Sequence, residues 1–244
     1  MASRPKSRAR GGSVGAVLSI SETRLAGYCS LALAATLVLV AIAYALLPGR
    51  PTDTDRILNV AGTSAGSFRF LYGIFALGGV FGLAVVGPIT RLAGDAAPAW
   101  IEWAKRLAYV GFAVTTVQGL RLAVLIPQLG SLYHGCGHCP VNLADQQTLA
   151  RWLYATLPVD PGYWVIFGAV SLWTLAVSAA SLVSSALPRL LSYLGLALTA
   201  GYWVIILALA TGSTGLFTFA ALVTGIFLGP LWYIWLGALL ISRR

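Results

Sequence analysis

Six apolar runs, each long enough to cross a bilayer as a helix, constrain this chain more than any other feature. A transmembrane helix needs about 20 predominantly apolar residues. The runs contain Val, Ile and Trp, but each is much longer than a normal strand and lacks strict alternation. We therefore predict an all-α, polytopic transmembrane bundle of six helices. The predicted spans are residues 25–47, 68–89, 107–128, 163–187, 190–210 and 216–241.

The composition indicates lipid as the main solvent of the chain. Hydrophobic residues make up 58% of the sequence and charged residues only 9%, whereas a soluble domain carries about 25% charged residues. The net charge of +9 comes from basic residues in short segments beside the apolar runs. These segments form no basic stripe interleaved with stacking aromatics, so we expect no nucleic-acid partner.

The distribution of Lys and Arg predicts that both termini lie in the cytoplasm. With the amino terminus inside, eleven Lys and Arg residues fall on cytoplasmic segments. Only Arg50, Arg56 and Arg151 fall outside, with Arg69 at the outer boundary. This asymmetry follows the positive-inside rule. It divides the chain into a basic cytoplasmic tail, residues 1–23, and a six-helix domain, residues 24–244.

Two features near the amino terminus leave alternatives open. The tail can bind the anionic inner leaflet, since each basic residue near that surface contributes about 1 kcal/mol, or it can be disordered and only orient the first helix. The first apolar run ends near Ala43-Tyr44-Ala45, which is similar to a signal-peptide cleavage site. Because a signal h-region has only about 7–15 residues, we predict a retained helix.

The predicted outer loop, residues 130–162, contains a helix signal of its own. Asn142 can cap a short helix, with Asp145 three residues later as a capping-box partner. Four apolar side chains are then expected on one face, which either lies in the outer membrane interface or packs against the bundle. They are Leu149, Trp152, Leu153 and Leu157.

Short connections and small residues predict how the helices pack. The fourth and fifth spans are joined at residues 188–189 and the fifth and sixth at residues 211–215, which favours antiparallel neighbours. Small residues four positions apart allow close helix approach, although Gly is also simply common in membrane helices. The pairs are Gly78 with Gly82, Gly225 with Gly229, and Ser181 with Ser185.

Three short motifs are similar to those of a known family. RLAGY opens the first helix at residues 24–28, QGLRL lies in the third at 118–122, and LPRLL precedes the fifth at 187–191. In these the chain resembles a bacterial six-helix integral membrane family classed as a domain of unknown function. The resemblance implies a multi-pass protein of the bacterial plasma membrane and no assigned activity. The Cys-Gly-His-Cys loop is not typical of that family.

The first candidate site is the loop at residues 133–140, where Cys136 and Cys139 stand two residues apart. An extracytoplasmic position favours a disulfide between them, and Cys29, near the opposite end of the first helix, cannot reach them. The pair is either a structural staple or a redox-active pair whose thiol pKa is tuned by its surroundings. A metal site would add His134 and His138, but zinc ligands usually come as two separated pairs.

The second candidate site is Arg121 in the third span, with Gln118 one turn earlier. An arginine inside a span is costly, and no Asp or Glu lies within the predicted spans to neutralise it. Arg121 could bind an anionic ligand together with Gln118. Alternatively, its long side chain could reach the headgroup region or bond to structural partners.

These observations support three hypotheses about function. The favoured one is a non-enzymatic accessory subunit or lipid-contacting scaffold, with lipid and a membrane protein as its partners. The second is an extracytoplasmic thiol–disulfide oxidoreductase using Cys136 and Cys139, and the third an anionic-solute binder or carrier using Arg121. No cofactor is predicted, and a quinone is expected only under the redox hypothesis. Neither histidine lies within a span to ligate a buried haem.

Overall fold

All regular secondary structure in the described part of the chain is helical, and this part contains no strand. A computed structural model describes residues 13–46 (with side chains from residue 22), 53–93, 99–135 and 141–242. These residues form eight helices, which confirms the all-α prediction. They are α1 Ser13–Leu46, α2 Thr54–Thr63, α3 Ala65–Leu92, α4 Ala99–His134, α5 Leu143–Thr156, α6 Trp164–Ser184, α7 Arg189–Ala210 and α8 Thr214–Ser242.

Six of these helices are long and apolar enough to cross a membrane, so this is a multi-pass bundle. They are α1 from Glu22 onward, α3, α4, α6, α7 and α8. Each contains most of one predicted span. Continuous helices satisfy backbone polar groups within the segment, which lipid cannot do.

The third span was predicted to end at Gln128, which is too early. Helix α4 continues beyond Gln128, past Pro127, to His134, and so enters the predicted loop. The extension packs against α2, a helix that was not predicted. Gly130 lies against the backbone of Ala61 and Gly62 so closely that a side chain at position 130 would clash. Tertiary contact thus stabilises helix where the local sequence indicated a loop.

Glycines make the seam between α3 and α4 a close one. A Cβ at Gly82 would collide with the ring of Phe112, and one at Gly79 with Thr116. Gly78 lies beside Thr36 of α1. The predicted close approach at Gly78 and Gly82 is therefore confirmed.

The first and last helices pack side by side and bring both described termini to one end. Gly225 and Gly229 of α8 lie against α1, as predicted. Farther along, Gly27 lies against Gly237 and Ile241, and the Ser30 hydroxyl donates a 2.7 Å hydrogen bond to the carbonyl of Tyr233. We call the end of the bundle that holds both described termini the terminal end, and the opposite end the cap end.

The predicted antiparallel neighbours also pack as expected. Gly195 of α7 lies against Ser178 of α6 and Trp232 of α8, and Gly201 of α7 against Thr224 of α8. Ser181 is buried in this packing. Its predicted partner Ser185 instead ends α6 in a left-handed conformation, with φ 57°, and is exposed.

Two hydrophobic cores divide the bundle along its length. One contains an aromatic ladder of Phe112, Trp173, Trp232 and Tyr233, which we call the aromatic core; successive ring centroids are 6.3, 5.9 and 4.9 Å apart. The other lies at the cap end and joins α2 and α5 to the adjoining turns of α3 and α4. Its buried members are Ile57, Leu58, Ala61, Phe68, Leu71, Tyr72, Leu122, Ile126, Leu129, Ala150 and Leu157.

Candidate functional site

At the cap end, polar contacts join parts of the chain that are distant in the sequence. We define the cap as α2, α5 and the segment 157–163 that leads into α6. Asp53 caps the start of α2, where its side chain accepts a 3.1 Å bond from the amide of Arg56. Three apolar residues of α2 are buried against the bundle: Ile57, Leu58 and Ala61.

Helix α5 begins at the predicted cap. The amide of Asp145 donates to Asn142 Oδ1 at 2.9 Å, and Asn142 Nδ2 donates to Asp145 Oδ2 at 2.8 Å. The first bond satisfies one orphan backbone amide of the helix start, whereas the second joins the two side chains and does not engage the Asn142 backbone N–H, as a full capping box would. The carboxylate also lies at the positive end of the helix dipole.

The predicted apolar face of α5 is divided between two environments. Leu157 is buried and Leu153 packs against the cap-end core. In contrast, Leu149 is 47% exposed and Trp152 65% exposed. The buried face of α5 instead includes Gln146 and Ala150. Because the helix turns Ala150 toward the bundle, the predicted residues nearest the core are buried or half-buried, and Leu149 and Trp152 are left exposed.

An ion pair joins the two cap helices. Arg151 Nε of α5 donates to Asp55 Oδ1 of α2 at 2.5 Å, and Arg151 Nη2 donates to the Tyr133 hydroxyl at 3.4 Å. The guanidinium carbon also lies 5.5 Å from the centre of the Tyr133 ring. The hydrogen bond from Arg151 lowers the pKa of Asp55 below its usual value. The same contact raises the pKa of Arg151.

The end of α4 is held by contacts with both cap helices. His134 Nε2 lies 2.9 Å from the carbonyl oxygen of Asn59 in α2. Gln147 Nε2 of α5 donates to the carbonyl of Tyr133 at 3.4 Å. These contacts anchor the chain on both sides of the cysteine loop.

The cysteine site itself lies outside the described residues. Cys136, His138 and Cys139 fall in the gap between residues 135 and 141, so the disulfide, redox and metal interpretations stay predictions. Among the residues that the structure describes, no group of three or more His, Cys, Asp or Glu is placed to hold a metal ion. The fourth predicted metal ligand, His134, bonds to Asn59.

A buried acidic residue that was not predicted as a site, Asp160, precedes the fourth span. Asp160 is only 6% exposed. Its Oδ1 accepts the amide of Trp164 at 3.0 Å, and its Oδ2 accepts those of Val165 at 2.7 Å and Ile166 at 2.9 Å. These are the amides that a helix start leaves without an intrahelical partner. The Asp160-Pro161-Gly162 sequence could have signalled such a start.

Gln118 connects this helix start to α4. The side chain is fully buried, and its Oε1 accepts the amide of Asp160 at 2.8 Å. Its Nε2 has no hydrogen-bond partner in the described structure. The Tyr163 hydroxyl lies near enough to interact with the carboxamide, but without hydrogen-bond geometry. Gln118 thus serves first to hold the segment 157–163 against α4.

Tyrosines surround this junction. The hydroxyls of Tyr44, Tyr72, Tyr154 and Tyr163 are close enough to interact electrostatically. Burial raises the pKa of Tyr154, which lies in α5, to about 12, and Tyr163 adds to the effect. The ring of Tyr163 stacks on Phe167 with centroids 5.7 Å apart. Aromatic rings and their hydroxyls therefore line the junction.

Arg121 and Gln118 lie one turn apart but in different surroundings. Gln118 is enclosed, whereas Arg121 is exposed beside other exposed residues of α4. Its neighbours Val117, Leu120 and Val124 are 55%, 57% and 56% exposed. The structure therefore does not bring the two predicted ligand residues together through a shared contact, and Arg121 as a ligand residue stays a prediction.

No family model, characterised protein or solved structure matches this chain. The resemblance to the six-helix bacterial family is therefore a prediction from its three motifs. The cap, not a relative, provides the basis for assigning function.

Proposed function

We propose that this chain is a non-enzymatic membrane protein that acts as a lipid-contacting scaffold. In this proposal it lies in the bacterial plasma membrane, with both termini in the cytoplasm and the cap on the opposite side. The alternative within the same hypothesis is an accessory subunit that binds a membrane protein.

One observation carries the proposal: α5 is fixed to the bundle yet turns an apolar flank outward. The helix is held by the Arg151–Asp55 pair and by the burial of Ala150. Leu149 and Trp152 are left exposed on the same helix. A tryptophan beside a membrane span is typical of the headgroup region, where its ring is apolar and its N–H is polar.

The contacts of the cap carboxylates support a structural role for that region. Asp160 is engaged by three backbone amides and Asp55 by Arg151. The hydrogen bond from Arg151 lowers the pKa of Asp55, which makes that carboxylate a poor proton carrier near neutral pH. These contacts favour a scaffold over a proton-relay enzyme.

Site-specific photocrosslinking tests the proposal. A benzophenone amino acid at position 152 should crosslink to lipid in membranes, whereas one at Thr148, also exposed on α5, should do so less. A crosslink to one protein at stoichiometric yield would support the accessory subunit instead. Equal labelling at both positions would contradict a fixed contact surface on α5.

The redox hypothesis is a second candidate, favoured by the anchoring of the loop that carries Cys136 and Cys139. Bonds from His134 and Gln147 hold the helices on either side of that loop. The reduction potential of the pair separates a staple from an active site. A value well below about −300 mV indicates an inert disulfide. A higher value with a co-purifying quinone would support an oxidoreductase.

Arg121 supports a third candidate, the binding of an anion. It has no hydrogen bond or ion pair within the described structure, and its exposed neighbours are apolar. A lone guanidinium in such surroundings attracts phosphate or carboxylate. If Arg121→Ala leaves solute and lipid binding unchanged in reconstituted protein, this candidate is excluded.

A further inference from the structure

At the terminal end, a cleft of about 210 Å³ lies between α1, α3 and α8. Pro88, Leu92 and Leu240 give it an apolar lining, and Thr23 and Arg91 a polar one. Pro88 lies inside α3, and a proline there removes a helical hydrogen bond and keeps its neighbours at a distance. The cleft thus combines apolar walls with a cation.

Arg91 is held only weakly by its protein partner. Its Nη2 donates to Glu22 Oε2 at 2.9 Å, while both side chains are more than half exposed, at 62% and 60%. An exposed ion pair contributes little to stability. A guanidinium has five N–H donors, and this contact engages one nitrogen, so donors are left for a second anion.

We propose that this cleft binds an anionic phospholipid, with the phosphate on Arg91 and the glycerol and first methylenes against Pro88, Leu92 and Leu240. Arginine matches the geometry of a phosphate and can bind it in a bidentate manner. The apolar lining favours a lipid over a free ion, because it can desolvate methylene groups. The Glu22 carboxylate competes with the phosphate for Arg91 and sets the affinity.

This inference rests on the proposed lipid-contacting function and adds the lipid class and its site. It differs from binding by the basic tail, because a single residue pair within the bundle would decide the selectivity. The two members of that pair should have opposite effects. Loss of Arg91 removes the ligand for the phosphate, whereas loss of the Glu22 charge releases Arg91.

Native mass spectrometry of the full chain in mild detergent tests this with phosphatidylglycerol and phosphatidylcholine of identical acyl chains. We expect the wild type to retain phosphatidylglycerol preferentially. Arg91→Gln should reduce that retention about fivefold, and Glu22→Gln should increase it. Lys105→Gln is the matched control: it removes one positive charge, from a residue paired with Glu102 at 2.6 Å that does not line the cleft, and should leave retention unchanged.

Several results would overturn the inference. An equal loss in Arg91→Gln and Lys105→Gln would indicate diffuse electrostatic attraction, and a decrease in Glu22→Gln would contradict competition. Displacement of the lipid by millimolar inorganic phosphate would identify a free-anion site. If both lipids are retained without preference, this inference fails and the lipid-contacting proposal stands. If neither lipid is retained, the lipid-contacting proposal fails as well.

Discussion

In the cap, polar side chains join elements that are far apart in the sequence, whereas near the aromatic core several polar atoms lie buried without a partner. Gln118 bonds to Asp160 and Asp55 pairs with Arg151. Around the aromatic core, five buried polar atoms have no hydrogen bond in the described structure. They are the hydroxyls of Ser178, Ser181, Ser192 and Tyr233 and the indole N–H of Trp232.

The difference follows from what each region must hold together. The cap is made of short helices and a connecting segment, whose free backbone groups need partners. The long helices near the aromatic core satisfy their own backbone. They are joined by packing of rings and glycines and by single interhelical bonds, such as the 2.8 Å bond from Trp173 Nε1 to Thr90 Oγ1. Hydrogen bonds to free backbone groups are therefore a feature of the cap, whereas the bundle depends more on shape complementarity.

The largest expected effect is that of Asp160→Ala in the cap. The variant leaves three amides at the start of α6 without their acceptor, and each buried donor left unsatisfied costs about 1–3 kcal/mol. We expect a loss of about 3–5 kcal/mol, because solvent can satisfy part of the exposed backbone. Thermal unfolding in detergent, followed by circular dichroism, measures it. Asp145→Ala, an exposed cap residue, is the control, and an equal loss there would refute the structural role of Asp160.

A smaller effect is expected from Gly82→Ala in the bundle. The added Cβ would collide with the Phe112 ring, and overpacking of this kind costs about 1–3 kcal/mol. Gly73→Ala is the matched control on the same helix, since nothing lies within 4 Å of its Cβ position. The same unfolding assay should show a loss for position 82 alone. Similar stability of both variants would mean that shape complementarity does not hold the α3–α4 seam.

Loss of the ion pair between Asp55 and Arg151 should have a local effect. Asp55→Asn is expected to weaken the contact between α2 and α5 and to reduce the protection of their amides in hydrogen exchange, while the other helices keep theirs. Lowering the pH should weaken the same contact between α2 and α5, because it protonates Asp55. Because the pKa of Asp55 is lowered in the folded state, its stabilising effect is complete above the unfolded pKa of about 4 and is lost as the pH falls through the folded value. Equal loss of protection throughout the bundle would contradict a local role.

The smallest effect is expected for Ser178→Ala near the aromatic core. The hydroxyl is buried without a partner in the described structure, so its removal leaves no other group unsatisfied. The change in unfolding free energy should lie within about 0.5 kcal/mol of zero, or be slightly stabilising. A loss above about 1 kcal/mol in the unfolding assay would show that Ser178 has a hydrogen bond in the membrane, and the contrast with the cap would then disappear.

The helix class and the hairpins followed from local patterns, and so did the Asn142 cap, whose signal lies within four consecutive residues. The buried role of Gln118 could not be predicted in this way, because it depends on a partner 42 positions away. The helix start at Asp160 has a local signal, since its side chain accepts from amides four to six residues later. Arg121 and Gln118 were grouped by spacing alone, yet spacing does not report which side chain is enclosed. For the loop with Cys136 and Cys139, the disulfide, redox and metal interpretations stay predictions.

Long runs of apolar residues determined the six spans by themselves, because a helix in lipid must satisfy its own backbone wherever the sequence is apolar enough. Tertiary structure alone decided where α4 ends, that α2 exists, and which face of α5 is buried. Each of these depends on surfaces brought together from distant segments, such as Gly130 against Gly62. A local sequence pattern does not predict such contacts.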